Sequence, residues 1–163
     1  MHPSWNVTPT KKGGYKMSQS QRIPDADQVK DVITRFHEAA TNGDVNLMDQ
    51  LFANDPQVLL IGSDASEVIV GHGAIVQFWT DLFQYLRDQG YPNNGGLPTV
   101  SSGTSLQINQ QGAIAWAADF PTWQFNNGDT SYRESLVLQR EQGEWKISQV
   151  HFSVGVPNSD LPI

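Results

Sequence analysis

The sequence predicts an α+β domain, with about three helices packed on one face of a strongly curved, mostly antiparallel sheet. Two observations carry this. Apolar residues recur at helical spacing in the first half of the chain, and beyond Pro98 they alternate with polar ones at the period of a strand. Turn-forming pairs such as Asn127-Gly128 and Gln142-Gly143 separate the later runs. At 163 residues the chain suits one domain with one core.

Taken in order, Asp25 or Asp27 can cap a first helix, whose stripe is Val29, Val32, Ile33, Phe36 and Ala40. Asn42-Gly43 ends it, and Asp44 can cap a shorter helix carrying Leu47, Met48, Leu51 and Phe52. Val58–Ile61 is an apolar run bounded by turn formers, hence a buried strand, with Glu67–Val70 pairing back onto it. A third helix follows Gly71-His72-Gly73, its broad face formed by Ile75, Phe78, Trp79, Leu82, Phe83 and Leu86. After the Gly/Pro/Asn loop 90–98 come strands around Leu106–Gln110, Ala113–Phe120, Ser131–Gln139 and Trp145–Val156. Pro121 cannot donate to a central ladder, so an edge or bulge is expected there, with Trp123 and Phe125 facing a partner or a pocket rim.

Composition removes several function classes. Ten basic against seventeen acidic residues give a net charge of −7, which argues against a nucleic-acid surface. The absence of cysteine excludes disulfides, thiolate metal sites and cysteine nucleophiles. No apolar run approaches the ~20 residues of a membrane span, so a cytoplasmic protein with no membrane partner is expected. Residues 1–21 are polar and aperiodic and lack the apolar centre of a secretory signal; a disordered tail over 1–21 and a domain over 22–163 are expected. Lys12-Gly13-Gly14-Tyr15-Lys16 is also what a purine-rich ribosome-binding site would encode ahead of a true start at Met17. Dropping 1–16 removes three lysines and no acid, and moves the net charge to −10.

Four segments in this order resemble one family: Asn42-Gly43-Asp44; Ile61-Gly62-Ser63-Asp64 with Glu67 and Gly71; Arg133-x-Ser135-x-Val137-Leu138; and Gly143-x-Trp145-x-Ile147 leading to His151-x-Ser153. The chain from about Asp25 to Pro157 resembles the SnoaL-like branch of the NTF2-like superfamily, which includes ketosteroid isomerases, polyketide cyclases, scytalone dehydratases and the association domain of calmodulin-dependent kinase II. The ending Val150–Pro157 is also similar to the end of that association domain. The resemblance implies a cone whose bent sheet wraps a long helix, a pocket at the open end, and a homodimer formed through the sheet. It does not carry over ketosteroid isomerase chemistry. The proton-shuttling Asp would fall in the apolar run Val58–Ile61, and the oxyanion-hole Asp near Ser135 or Leu136.

Within that frame the candidate catalytic residues are His151 and Arg133, with Trp116, Trp79, Ser135 and Ser153 as pocket residues. Arg133, Ser135 and Val137 share one strand face. If that face lines the cone, Arg133 can clamp a carboxylate, phenolate or enolate, the alternative being a structural pair with Asp119 or Glu134. His151 shares a face with Gln149 and Ser153 and can act as a general base, or can simply order the sheet. Trp116 can stack an aromatic ligand or pack in the core. Trp79 and Phe78 have core spacing on their helix. By the same parity Leu136, Leu138, Val150, Phe152 and Val154 would form the outer face, an apolar patch suited to an interface. His37, His72 and His151 lie on separate elements, so no metal site and no cofactor is expected. The expected function is small-molecule binding, of isomerase, cyclase or dehydratase type on a polar aromatic or polyketide-like compound. A non-catalytic oligomerisation module is the alternative.

Overall fold

The computed structural model describes residues 25–90 and 94–160. The expected tail over 1–21 and the alternative start at Met17 lie outside the described residues. Helix α1 (Asp25–Asn42) buries its predicted stripe and, with it, His37. Asp44 accepts a hydrogen bond from the Leu47 N–H at 2.9 Å and so caps α2 (Val45–Leu51). Strands β1 (Leu59–Ile61) and β2 (Val68–Val70) form the short hairpin, and α3 (His72–Asp88) buries Ile75, Trp79, Phe83 and Leu86. The remaining strands are β3 (Thr99–Ser101), β4 (Gln107–Gln111), β5 (Ile114–Asp119), β6 (Thr122–Phe125), β7 (Gly128–Glu141) and β8 (Glu144–Val154).

The main sheet runs β2-β1-β8-β7-β5-β4. Every pair is antiparallel except β1 with β8, so the sheet is mixed but mostly antiparallel, as predicted. Pro121 falls at a break rather than within a ladder. Before it β5 pairs with the later part of β7, and after it β6 pairs with the beginning of β7 and carries β3 on its far edge. At the step itself the Tyr132 N–H donates to the Pro121 carbonyl at 2.9 Å. The β7–β8 turn uses Gln142 and Gly143, both at positive φ (52° and 92°), as a tight primed hairpin requires.

Parity is the principal correction. Across β5, β7, β8 and β1 the buried rows are Ala117–Leu136–Val150–Leu60 and Asp119–Glu134–Phe152. The outward rows are Trp116–Val137–Gln149–Leu59 and Ala118–Ser135–His151–Ile61, with Arg133 opposite Ser153 just beyond. Leu136, Leu138, Val150 and Phe152 therefore belong to the core, not to an outer interface. The physical reason lies in β7: one face offers Leu136 and Leu138, the other Ser135, Val137 and Arg133. Burying two leucines removes more apolar surface from water than burying one valine, and it avoids desolvating a guanidinium. Register then carries the choice across the sheet. It turns Ile114, Trp116 and Phe120 outward and puts the smaller Ala115 and Ala117 inside.

Candidate functional site

Residues of α3 and of the inner sheet face line a half-open cavity of about 110 Å³. Its walls include Leu60, Trp79, Leu82, Trp123, Tyr132 and Phe152, with Ser63 and Glu67 also lining it. The aromatic walls support one another: Trp123 and Tyr132 meet edge to face with ring centroids 6.0 Å apart, and Tyr132 meets Phe152 likewise at 6.3 Å. Glu67 is held in the β1–β2 turn, where its carboxylate accepts the Asp64 N–H at 3.0 Å. Its carboxylate and Cβ also lie against Gly62, in space that any side chain at that position would need. Trp79 is buried and its indole N–H has no partner.

The volume limits what can enter. An engineered apolar cavity of about 150 Å³ takes benzene, whereas drug-sized pockets run to roughly 300–1,000 Å³. The cavity therefore fits a single ring or a short apolar chain, and a polycyclic compound would have to leave most of its body outside.

Of the residues expected to line this hollow, Trp79 does so. Arg133, Ser135, His151, Ser153 and Trp116 are brought together, but on the outward face of the sheet, because their rows have the opposite parity. Trp116 is 45% exposed. Arg133 is also exposed, its guanidinium lying over Gly155, and it forms no ion pair with Asp119 or Glu134, which point into the core. Trp123 and Phe125 do reach the cavity.

Sequence reasoning missed a buried polar group between α1 and the sheet. His37 Nε2 lies 3.2 Å from both carboxylate oxygens of Glu134, and His37 Nδ1 lies 2.7 Å from Ser102 Oγ. Asp119 accepts the Gly103 N–H through Oδ2 at 3.1 Å, while its buried Oδ1 has no partner. A side chain at position 103 would collide with that carboxylate and with the Phe120 backbone, so the approach requires glycine. Burial drives the Glu134 pKa upward, and the Asp119 charge adds to this, while the His37 hydrogen bond and charge oppose it. One signal was available: His37 follows Val29 at i+8, inside the apolar stripe of α1.

Among the described residues no group of three His, Asp or Glu side chains could hold a metal ion, and no helix is long and apolar enough to cross a membrane.

Residues 29–157 match the SnoaL-like domain family. No curated protein matches the chain. An NTF2-like protein of unknown function from Pseudomonas putida superposes with a TM-score of 0.67 at 14% identity, over 84% of this chain and 95% of that one. A proposed dehydratase of the NTF2-like family from Streptomyces avermitilis gives 0.63 at 16% identity, over 82% and 98%. A proposed calcium/calmodulin-dependent protein kinase type II association domain from Thiobacillus denitrificans gives 0.64 at 14% identity, over 78% and 94%.

Proposed function

This chain belongs to the SnoaL-like domain family, and from that premise we propose that it is a small-molecule-binding protein whose ligand enters the cavity between α3 and the inner sheet face. The observation that carries the reading is the hollow itself, apolar and walled by the aromatic rings of Trp79, Trp123, Tyr132 and Phe152. Such a site favours a single ring or a short apolar chain. Isomerase, cyclase or dehydratase chemistry on a polar aromatic or polyketide-like compound would have to draw on Glu67 and Tyr132, the ionisable side chains of the lining. A calorimetric titration with phenol and benzoate tests the binding reading. Saturable binding that Leu82→Trp abolishes supports it; equal binding by the filled variant contradicts it.

A second reading, homodimerisation through the outward sheet face, is favoured by a separate observation. Trp116, Ile114, Val70 and Val68 are exposed on that face. Apolar surface of this kind, framed by Arg133, Ser135, His151 and Ser153, suits the same face of a second copy. Under this reading Arg133 and His151 are interface residues and not catalytic ones, since the hollow lies on the other side of the sheet. Light scattering checks it: a dimer that Trp116→Lys converts to monomer is expected, and a monomeric wild type overturns it. A ring larger than a dimer would instead favour the oligomerisation-module alternative.

A further inference from the structure

A second, separate site is built around the buried polar group. Ser102 is exposed, yet its hydroxyl is tied to a buried imidazole, which is tied in turn to a buried carboxylate: Ser102 Oγ to His37 Nδ1 at 2.7 Å, His37 Nε2 to Glu134 at 3.2 Å. This is the connectivity of a nucleophile, its base and the group that orients the base. The segment holding Ser102 is fixed on both sides. Thr41 of α1 exchanges two hydrogen bonds with the Val100 backbone, and Asp119 holds the Gly103 N–H. Ser102 opens onto a cleft of about 270 Å³ that shares no residue with the cavity beside Trp79. Lys30, Thr34 and Thr104 bring a cation and two hydroxyls to it, and Ile33, Leu106 and Ile108 give it an apolar side.

We propose that Ser102, His37 and Glu134 form an acyl-accepting site for small esters, with the acyl chain lying along Ile33, Leu106 and Ile108. Ser102 Oγ attacks the ester carbonyl carbon as its proton passes to His37 Nδ1. The C–O bond to the alcohol then breaks, and the departing oxygen takes that proton, leaving Ser102 acylated. A water molecule reverses the sequence: its proton goes to His37, its oxygen attacks the acyl carbon, and Ser102 Oγ recovers the proton as the carboxylic acid leaves. Lys30 supplies positive charge in the cleft for the oxygen on which negative charge builds.

Glu134 is a positioning residue. When protonated it donates to Nε2, so the ring hydrogen sits on Nδ1 and points at Ser102, leaving no base. When ionised it accepts from Nε2–H, and the Nδ1 lone pair faces the hydroxyl. The titratable groups facing Glu134 are His37 from α1 and Asp119 from β5. Since burial raises its pKa, Ser102 reactivity should rise with pH above the ordinary glutamate value of 4.5.

The full chain is treated with a fluorophosphonate and the adduct is mapped by mass spectrometry, alongside hydrolysis of p-nitrophenyl acetate. Ser102 should react at least about tenfold faster than Ser101 and Ser105, and the excess should vanish in urea. Ser102→Ala, a change at an exposed position, should remove both the adduct and the esterase activity while circular dichroism is unchanged. Glu134→Gln should flatten the pH rise. Equal labelling of the three serines, labelling that survives urea, or undiminished ester hydrolysis by Ser102→Ala would overturn the assignment.

Discussion

Strand β7 presents two faces that were given different work. Glu134, Leu136 and Leu138 face the helices and are buried, while Arg133 and Ser135 face away and are exposed. The inner face mixes leucines with one carboxyl side chain, which is hydrogen-bonded to His37 from α1. On the outer face, Arg133 has no ion-pair partner among the described residues, and a large apolar residue, Trp116, stands in the open two strand residues from the row of Ser135 and His151. Burial thus selects the face whose polar groups can be satisfied internally, and leaves outside the face whose groups need water or another molecule.

The sharpest way to break this contrast is to remove one partner of the buried pair. His37→Ala leaves Glu134 in the core without its partner and should cost about 3–5 kcal/mol in urea unfolding. Asp31→Ala, which deletes the exposed ion pair with Arg35, should cost well under about 1 kcal/mol. Next, Leu138→Ala should lose about 2–5 kcal/mol, whereas Val137→Ala, its outward neighbour, should stay within about 1 kcal/mol. Equal losses would mean that the faces are assigned the wrong way round.

A pH series sharpens the same point. Glu134 has a raised pKa in the fold, so the folded state holds its proton more tightly than the unfolded chain. Its contribution is fully present below about 4.5 and is lost as pH rises through the raised folded value. The stability of the wild type relative to Glu134→Gln should therefore fall with rising pH above 4.5, and a relative gain would reverse the sign of the argument. Asp44→Ala removes the cap of α2 and should cost about 1 kcal/mol by thermal denaturation.

Much of the fold was legible because its signals are local. The stripe of α1, the Asp44 cap and the break at Pro121 each depend on residues within a few positions. Strand parity was not. Ile114, Trp116 and Phe120 form the more apolar face of their strand when read alone, and only pairing with Leu136 and Leu138 turns that face outward. Strand alternation told which residues share a face, but not which face looks inward. Trp79 was legible both as a helix core residue and as a candidate for the pocket wall, and it lines the cavity. The His37–Glu134 pair joins residues 97 positions apart, and no spacing rule reaches that far.

The central claim is that recognition occurs on the inner face, and the indole N–H signals of ¹⁵N-labelled protein report on both faces at once. Titration with phenol should shift the Trp79 signal, assigned through Trp79→Phe, saturably as a ring enters the cavity that Trp79 lines, while the Trp116 signal stays in place. A shift confined to Trp116, with Trp79 unmoved, would contradict it.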